Sequence, residues 1–392
     1  MKKNLEIYVH IPFCVKKCDY CDFLSFSADE NLRQRYVEKL CNEIRERSVY
    51  LKEYCVDTIF FGGGTPSLLQ VPQIQTLMDV IRESFCLKTD VEITMEANPG
   101  TVDLNKLSGM RESGINRISF GVQSFVEQEL RLLGRIHTVE QSYLAVEDAR
   151  RAGFDNINID LISALPHQSL EQYAYSLKQA IYLKPQHISA YGLIIEEGTL
   201  FYDRYGKEEE KRREGIQEEN SILPSEILER QIYEYTKETL GQAGYAQYEI
   251  SNYAKKDCEC KHNLKYWERE EYLGLGLGSS SFLGEYRFQN PVTLENYFQT
   301  DFTASVETYA LDLQKLTRED AISEFMFLGL RKRKGISKQR FYQCFGIDYD
   351  RIYHKVHQRL KQEGMIAEEG DSVFLTARGI DVSNYCMGLY LL

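Results

Sequence analysis

The stretch YVHIPFCVKKCDYCDF, residues 8–23, determines how the rest of the chain is interpreted. It begins inside an apolar run, LEIYVHI (5–11), and then places Cys14, Cys18 and Cys21 in the spacing CxxxCxxC. Thiolates bind iron–sulfur clusters, and a [4Fe-4S] cube offers one ligand position per iron, so three cysteines leave one iron open. A structural zinc site, which usually has a second ligand pair at a longer spacing, and accidental clustering are the alternatives.

Six apolar runs rich in Ile, Val, Phe or Tyr are typical of buried parallel strands. They are LEIYVHI (5–11), DTIFFG (57–62), EITMEA (92–97), RISFGV (117–122), NINIDLI (156–162) and HISAYGLII (187–195). Helical patterns lie between them at 32–51, 71–85 and 138–153, the last ending at Gly153. Strands alternating with helices predict right-handed βαβ units. Together they predict an α/β fold, a complete or partial TIM-like barrel with its chemistry at the carboxyl ends of the strands.

The second half of the sequence has a different pattern. A charged segment, 203–224, reads as a solvated helix or loop inserted after the sixth strand. A helix at 226–244 then leads into YAQYEISNYA, which alternates like a strand. Three helical stretches and a hairpin follow, at 318–332, 337–344, 349–363 and 365–379, and predict an α+β, winged-helix-like module. We therefore expect three domains: 1–225, 226–310 and 311–392.

Polar residues and glycines follow the predicted strands at the end where barrel chemistry occurs. They are Gly62, Gly63, Gly64 and Thr65 after the second strand, Glu96 at the end of the third, Gln123 at the end of the fourth, Arg135 at the start of the next helical region, and Asp160 on the fifth. Glycines allow the backbone to approach a ligand closely, although a triple glycine is also compatible with a simple tight turn. A single acid on a strand is often a paired structural charge, but several polar residues at successive strand ends favour a binding site.

Composition excludes several classes of protein. The formal net charge of −12 argues against broad binding to nucleic-acid backbones. No apolar stretch approaches the roughly 20 residues that span a bilayer, and Glu6 and His10 interrupt the only run resembling a signal peptide. We expect a cytoplasmic protein that is not an integral membrane protein. The ten cysteines are then free thiols or metal ligands, with Cys41, Cys86 and Cys344 as small core residues.

The cysteine loop resembles that of the radical S-adenosylmethionine (SAM) superfamily. More narrowly, the chain is similar over nearly its whole length to the branch that contains oxygen-independent coproporphyrinogen III oxidase and the HemW-type heme chaperones. This resemblance implies a [4Fe-4S] cluster on Cys14, Cys18 and Cys21, with SAM at the open iron. The positions that it assigns to SAM binding are Tyr8, Tyr20, Gly63, Gly64, Thr65, Glu96, Gln123, Arg135 and Asp160.

Two features distinguish the members of that branch. Coproporphyrinogen oxidases resemble this chain but carry a further cysteine two residues past the third ligand, where Phe23 stands here. The segment HNLKYW (262–267) resembles the HNxxYW motif of the heme chaperones, which makes His262 a candidate heme ligand. A histidine beside aromatic rings is otherwise a packing residue. The neighbouring Cys258 and Cys260, together with His262, fit either a small metal or heme-thiolate site or, as we expect, an exposed polar loop.

The resemblance implies a heme chaperone that delivers heme to respiratory-chain proteins, with a homodimer as its possible assembly. A porphyrinogen-processing radical SAM enzyme is the alternative. A winged-helix regulator that binds DNA is a third, and the acidic composition disfavours it. The one basic run, RKRK (331–334), fits a helix end or a surface patch.

Overall fold

The computed structural model describes residues 2–216 and 221–392. The charged segment predicted at 203–224 forms most of one helix and then reaches residues 217–220, which lie outside the described residues.

Six parallel strands form the centre of one large sheet, as the sequence predicts. They are β1 (Lys3–Ile11), β2 (Tyr54–Gly63), β3 (Leu87–Ala97), β4 (Arg117–Gln123), β5 (Ile157–Ser163) and β6 (His187–Gly192). Each pairs in parallel with the next, so that residues in register point to the same face. The outward-facing residues are apolar, as in the series Ile7, Ile59 and Ile93, because helices cover that face.

Helices connect the strands in the expected βαβ order. They are α1 (Glu30–Ser48), α2 (Val71–Ser84), α3 (Leu104–Glu112), α4 (Glu127–Leu132), α5 (Val139–Arg151), α6 (Leu170–Tyr182) and α7 (Leu200–Arg213). Side-chain caps explain several of the helix starts. Asp29 accepts a hydrogen bond from the backbone N–H of Leu32, and Thr138 and Ser169 begin capping boxes. Gly153, with φ 87°, follows the end of α5 as predicted.

The sheet extends beyond both sides of this parallel centre. The added elements are α8 (Glu226–Gln242), β7 (Ala246–Gln247), β8 (Asn252–Ala254), α9 (Lys261–Trp267), β9 (Tyr272–Leu275), β10 (Ser280–Leu283), β11 (Tyr286–Gln289), α10 (Leu294–Gln299) and β12 (Leu311–Lys315). The described residues form a sheet of 12 strands in the order β12-β11-β10-β9-β1-β2-β3-β4-β5-β6-β8-β7. Its two ends do not pair within that part of the chain, so the barrel is partial.

The C-terminal module has its own hydrophobic core, which runs from Ile322 to Tyr390. Its elements are α11 (Arg318–Gly329), β13 (Ile336–Ser337), α12 (Lys338–Phe345), α13 (Tyr349–Gln362), β14 (Ile366–Glu369), β15 (Ser372–Leu375), α14 (Ala377–Asp381) and α15 (Ser383–Gly388). Three helices followed by the β14–β15 hairpin confirm the winged-helix-like α+β prediction. The three-domain division stays a prediction, and strands from both sides of residues 225 and 310 share the large sheet.

A buried acid ties α1 to the second half of the chain. Glu43 has no exposed surface and forms an ion pair with Arg47, Nε to Oε1 3.3 Å. Its carboxylate also accepts hydrogen bonds from the Gly276 backbone N–H (2.9 Å), the Asn290 amide (2.7 Å) and the Tyr297 hydroxyl (2.7 Å). Three hydrogen-bond donors and the charge of Arg47 satisfy the buried carboxylate, and the three donors hold α10 and the β9–β11 segment against the barrel.

We predict that Glu43→Ala lowers the free energy of unfolding by about 3–5 kcal/mol, because it leaves the Arg47 guanidinium buried without its carboxylate. Urea denaturation measures the change. Glu38→Ala, on the exposed face of the same helix, is the matched control and should change stability by about 0.5 kcal/mol or less. Equal effects of the two substitutions would contradict the role assigned to Glu43.

Candidate functional site

The cysteine loop starts where β1 ends and is closed by backbone hydrogen bonds. The Cys14 N–H donates to the Phe26 carbonyl (3.0 Å), and the Phe26 N–H donates to the Pro12 carbonyl (2.9 Å). Further along the loop, the Asp19 N–H donates to the carbonyl of Leu133, just after α4 (3.1 Å). These contacts place the three cysteines at the carboxyl end of the parallel strands, as the sequence predicts.

The glycine turn after β2 is hydrogen-bonded to the start of the cysteine loop. The Gly64 N–H donates to the Ile11 carbonyl (2.9 Å), and the Thr65 N–H donates to the Phe13 carbonyl (2.7 Å). A Cβ added at Gly64 would lie 2.7 Å from the Phe13 oxygen, closer than nonbonded atoms approach. Gly63 has φ 110°, which favours glycine. The turn is therefore built for close backbone contact with the loop.

The three thiols are free and partly buried. Cys14 Sγ lies 3.5 Å from the Thr65 hydroxyl, and Arg135 donates to Cys18 Sγ at 3.4 Å. Burial raises the pKa of the Cys21 thiol, and the nearby Cys18 and Cys14 thiols shift it in the same direction.

A cube binds each thiolate at a different iron, so its ligands need not converge on one point. Across residues 2–216 and 221–392, no three His, Cys, Asp or Glu side chains are placed to hold a single metal ion. The neighbouring thiols, with a guanidinium to offset their negative charge, fit a multi-iron cluster.

Two half-buried carboxyl groups occupy the inner face next to the glycine turn. Glu96, at the end of β3, accepts a hydrogen bond from the Gly63 N–H (3.2 Å). Burial, followed by the charge of Asp160, raises the pKa of Glu96 to about 8. Asp160 accepts from the Asn158 amide (2.7 Å) and the Ser119 hydroxyl (3.3 Å), and burial raises its pKa as well. These acceptors fit the hydroxyl and ammonium groups of a ligand such as SAM.

Arg135 joins the cysteine loop to the ends of β3 and β4. Besides Cys18, its guanidinium donates to Asn98 Oδ1 and to the Gly121 carbonyl. Gly121 leaves room for it, since a Cβ there would lie 3.3 Å from the Arg135 guanidinium and 3.0 Å from the Gln123 amide. Arg135 lies in the turn between α4 and α5, and the prediction that it begins a helical region is wrong by a few residues.

Tyr8 and Tyr20, the two tyrosines predicted to bind SAM, flank the two carboxyl groups and Arg135. Tyr8 lies on the inner face of β1, where its hydroxyl is 3.1 Å from His10 Nδ1, and burial raises its pKa. Tyr20 packs edge-on against Phe201, with ring centroids 6.3 Å apart. Burial also raises the pKa of Tyr20, and the negative charge of Glu96 raises that of Tyr8.

Sequence reasoning missed two residues of the site. Asn98 donates to the Thr65 hydroxyl (3.3 Å) and also accepts from Arg135. His10 lies under Gly63, where a Cβ would meet its ring at 2.4 Å, and its Nε2 is 2.9 Å from the Leu24 carbonyl. Asn98 directly follows the third predicted strand, which is the signal that could have identified it.

The structure places His262 at the opposite end of the barrel interior. It lies on α9, is 1% exposed, and its Nδ1 is 2.8 Å from the Thr58 hydroxyl on β2. The ring stacks on Phe60 and meets Tyr266 edge-on, with centroids 5.1 and 4.9 Å away. Burial, and the positive charge of Arg117, lower the pKa of His262 to about 3. The ring is therefore neutral, and its buried Nε2 has no hydrogen-bond partner among the described residues.

The expectation of an exposed loop before α9 is wrong for Cys260. This thiol is fully buried, and its Sγ lies 3.7 Å from Glu92 Oε1. Glu92 also accepts hydrogen bonds from the backbone N–H groups of Lys261 (3.1 Å) and His262 (3.1 Å), which are the first two residues of α9. A carboxylate at a helix N-terminus satisfies free N–H groups and the helix dipole. Cys260 therefore helps to seat α9 in the barrel.

Comparisons with known proteins agree with this geometry. A model of the radical SAM superfamily matches residues 8–180, and a model of the HemN C-terminal domain matches residues 316–382. The heme chaperone HemW of Bacillus subtilis is 36% identical over 98% of this chain and 98% of its own length. HemW of Escherichia coli is 36% identical over 99% and 98%. A solved structure of coproporphyrinogen III oxidase from Escherichia coli, 26% identical, superposes with a TM-score of 0.83 over 100% of this chain and 90% of its own.

We predict that Gly64→Ala reduces cluster incorporation severalfold, because the new Cβ would push the Phe13 backbone and with it Cys14. Iron content and visible absorbance after anaerobic reconstitution measure the effect. Gly241→Ala, in α8 with nothing within 4 Å of the added Cβ, is the matched control and should incorporate iron like the wild type. Normal iron content in Gly64→Ala would show that the turn does not position the loop.

The raised pKa of Glu96 gives stability a specific pH dependence in protein without SAM. Because the folded pKa is about 8 against an ordinary 4.5, the stability that this carboxyl contributes below pH 4.5 is lost progressively as the pH rises from 4.5 to about 8. We predict that Glu96→Gln removes up to about 1.4 kcal/mol per pH unit from this slope. Urea denaturation across that range measures it, with the exposed Glu140→Gln as control. An unchanged slope would contradict the assignment.

Proposed function

This chain belongs to the HemW family of heme chaperones within the radical SAM superfamily, and on that basis we propose that it binds heme and delivers it to recipient proteins. The observation that carries this proposal is identity of 34–36% to relatives named as heme chaperones over essentially the full length of both chains. The family also has a [4Fe-4S] cluster and SAM as cofactors.

We propose Cys14, Cys18 and Cys21 as the cluster ligands. When bound there, the cluster would supply one-electron reducing chemistry to SAM, which the residues around the glycine turn would hold beside it. Arg135 offsets the charge of the thiolates through its bond to Cys18. In the proposed SAM site the Gly63–Thr65 turn provides close backbone contact, and Glu96 and Asp160 provide hydrogen-bond acceptors. Tyr8, Tyr20 and Gln123 complete it.

A coproporphyrinogen oxidase is the second candidate, since the barrel superposes on that enzyme. Phe23, two positions after the third cluster ligand, favours the chaperone over the oxidase. Phe23 takes the place of the additional cysteine that the oxidases carry, and its side chain is 65% exposed, so it offers an apolar contact surface at the mouth of the site. The relatives named as chaperones are also more similar in sequence than the oxidase.

His262 is the proposed heme ligand, and its position constrains how it could act. An imidazole with 1% exposure, stacked on Phe60, cannot meet a macrocycle while α9 stays seated. Ligation through the unpartnered Nε2 therefore requires α9 to move away from the barrel, releasing its bonds to Glu92. Heme binding by His262 would then be coupled to opening of the amino end of the barrel interior.

We propose respiratory-chain proteins as the heme recipients, a cytoplasmic location and a homodimer. The support is family resemblance. None of the helices in the described ranges has the length and apolar character needed to cross a membrane. The acidic net charge of −12 supports a protein partner in preference to nucleic acid.

The test is anaerobic reconstitution followed by titration with hemin and, separately, incubation with coproporphyrinogen III and SAM. We predict saturable heme binding, seen in the Soret band, and no coproporphyrinogen turnover. Efficient turnover without heme binding would overturn the chaperone assignment in favour of the oxidase.

A His262 variant tests the ligand independently. We predict that His262→Gly weakens heme binding about tenfold or more and that free imidazole restores the Soret band, because imidazole can replace the missing ring. His354→Ala, an exposed histidine of the C-terminal module, is the matched control. Unchanged heme binding by His262→Gly would remove His262 as the ligand while leaving the chaperone proposal in place.

A further inference from the structure

Two cysteines outside the cluster loop lie in contact. Cys55, near the start of β2, and Cys86, the residue before β3, have their Sγ atoms 3.1 Å apart. Cys55 is partly exposed and Cys86 is exposed. The expectation that Cys86 and Cys344 are small core residues is therefore wrong, since both are exposed. An exposed pair of thiols in contact is a chemical group that the cluster and SAM site do not use.

The sheet fixes this contact. Val56 on β2 pairs with Leu87 on β3, and the Val56 N–H donates to the Cys86 carbonyl at 2.7 Å. The two cysteines immediately precede these paired residues, so this pairing and the Val56 hydrogen bond hold their backbones together, although the register of β2 and β3 shifts directly afterwards, between Val56 and Thr58. They also lie at the amino end of the strands, about 26 Å along β2 from the glycine turn that supports the cluster loop. The pair can therefore react without involving the cluster ligands.

We propose that Cys55 and Cys86 form a reversible intramolecular disulfide, which makes the pair a site of oxidative modification by low-molecular-weight disulfides such as oxidised glutathione. The proposal is independent of the heme and SAM functions. Reversible disulfides of this kind in reducing compartments are typically exposed and respond to the redox state of the cell.

The reaction proceeds in two exchange steps. The Cys86 thiolate attacks one sulfur of oxidised glutathione, forming a mixed disulfide and releasing one glutathione thiolate. The Cys55 thiolate then attacks the Cys86 sulfur and releases the second glutathione. The two cysteines lose two electrons and two protons, and oxidised glutathione gains them as two thiols. Cys86 attacks first because it is the more exposed, while burial and the contact with Cys86 raise the pKa of Cys55.

The Cys55–Cys86 disulfide would affect the amino end of the barrel interior, where α9 lies. Lys88 and Lys265 both pair with Asp57, with N–O distances of 3.3 and 2.6 Å. Asp57 lies two residues after Cys55, Lys88 two after Cys86, and Lys265 belongs to α9. The disulfide would also close residues 55–86 into a covalent loop, which restricts the unfolded chain. Oxidation should therefore raise the melting temperature of the protein. It should also hold in place the Asp57 ion pair that attaches α9 to the barrel.

Equilibration of the reconstituted protein under nitrogen with oxidised and reduced glutathione, followed by alkylation and peptide mass spectrometry, tests the proposal. In the wild type we expect loss of both thiols to a Cys55–Cys86 crosslink, with little glutathione retained on Cys86. Cys55→Ser should instead retain glutathione on Cys86. The exposed Cys344, with no thiol in contact among the described residues, is the internal control and should carry glutathione in both proteins.

Two results would overturn the proposal. One is stable glutathione on Cys86 in the wild type, which would show that Cys55 cannot displace it. The other is that Cys55 and Cys86 both stay reduced at a glutathione ratio that modifies Cys344. The melting temperature of oxidised wild type, compared with Cys86→Ser under the same conditions, tests the structural effect, and equal values would contradict it.

Discussion

The hydrogen bonds from the Gly64 and Thr65 backbone to the Ile11 and Phe13 carbonyls connect the second strand to the cysteine loop. They exist because β1 and β2 run in parallel and end side by side, and because Gly64 has no Cβ to separate the two backbones. They fix where the loop that carries Cys14, Cys18 and Cys21 begins relative to the residues proposed to hold SAM. Arg135 then completes the connection from the other side through Cys18.

The inner face of the partial barrel differs at its two ends. At the carboxyl end, Glu96 and Asp160 lie near the cysteine loop, and burial raises the pKa of both carboxyl groups. At the amino end, α9 closes the interior with His262 and Cys260, both seated on Glu92. Within residues 2–216 and 221–392, His262 Nε2 and the Glu6 carboxylate at this amino end have no hydrogen-bond partner, and burial raises the pKa of Glu6 to about 10. The proposed SAM site at the carboxyl end and the proposed heme ligand at the amino end thus share one interior.

The sequence alone predicts much of the fold because most of it is local. Strand–helix alternation locates six parallel strands, and turn and cap residues such as Gly153 mark helix ends. The pairing of β9 with β1 could not be predicted, since β9 begins at Tyr272, far along the chain, and is only four residues long. Long-range pairing of a short strand leaves no periodic signal.

The candidate site likewise combines features that the local sequence predicts with contacts that it does not. The CxxxCxxC spacing and the strand-end residues are visible in sequence, whereas Asn98 joins the site through contacts with Thr65 and Arg135 that only folding creates. Burial of Cys260 could not be predicted, because the charged residues around it indicate an exposed loop, whereas the aromatic neighbours of His262 already allow a packing role. The contact between Cys55 and Cys86 likewise depends on strand register over 31 residues.

Iron Mössbauer spectroscopy of the anaerobically reconstituted protein, with and without SAM, tests the central claim most directly. The cysteine loop should yield a [4Fe-4S] cluster in which one iron, and only one, changes its signal when SAM is added, because that iron alone lacks a cysteine ligand. Loss of the cluster signal in Cys18→Ala should accompany this result. A cluster whose irons are all insensitive to SAM, or a reconstituted protein without an iron–sulfur signal, would contradict the account.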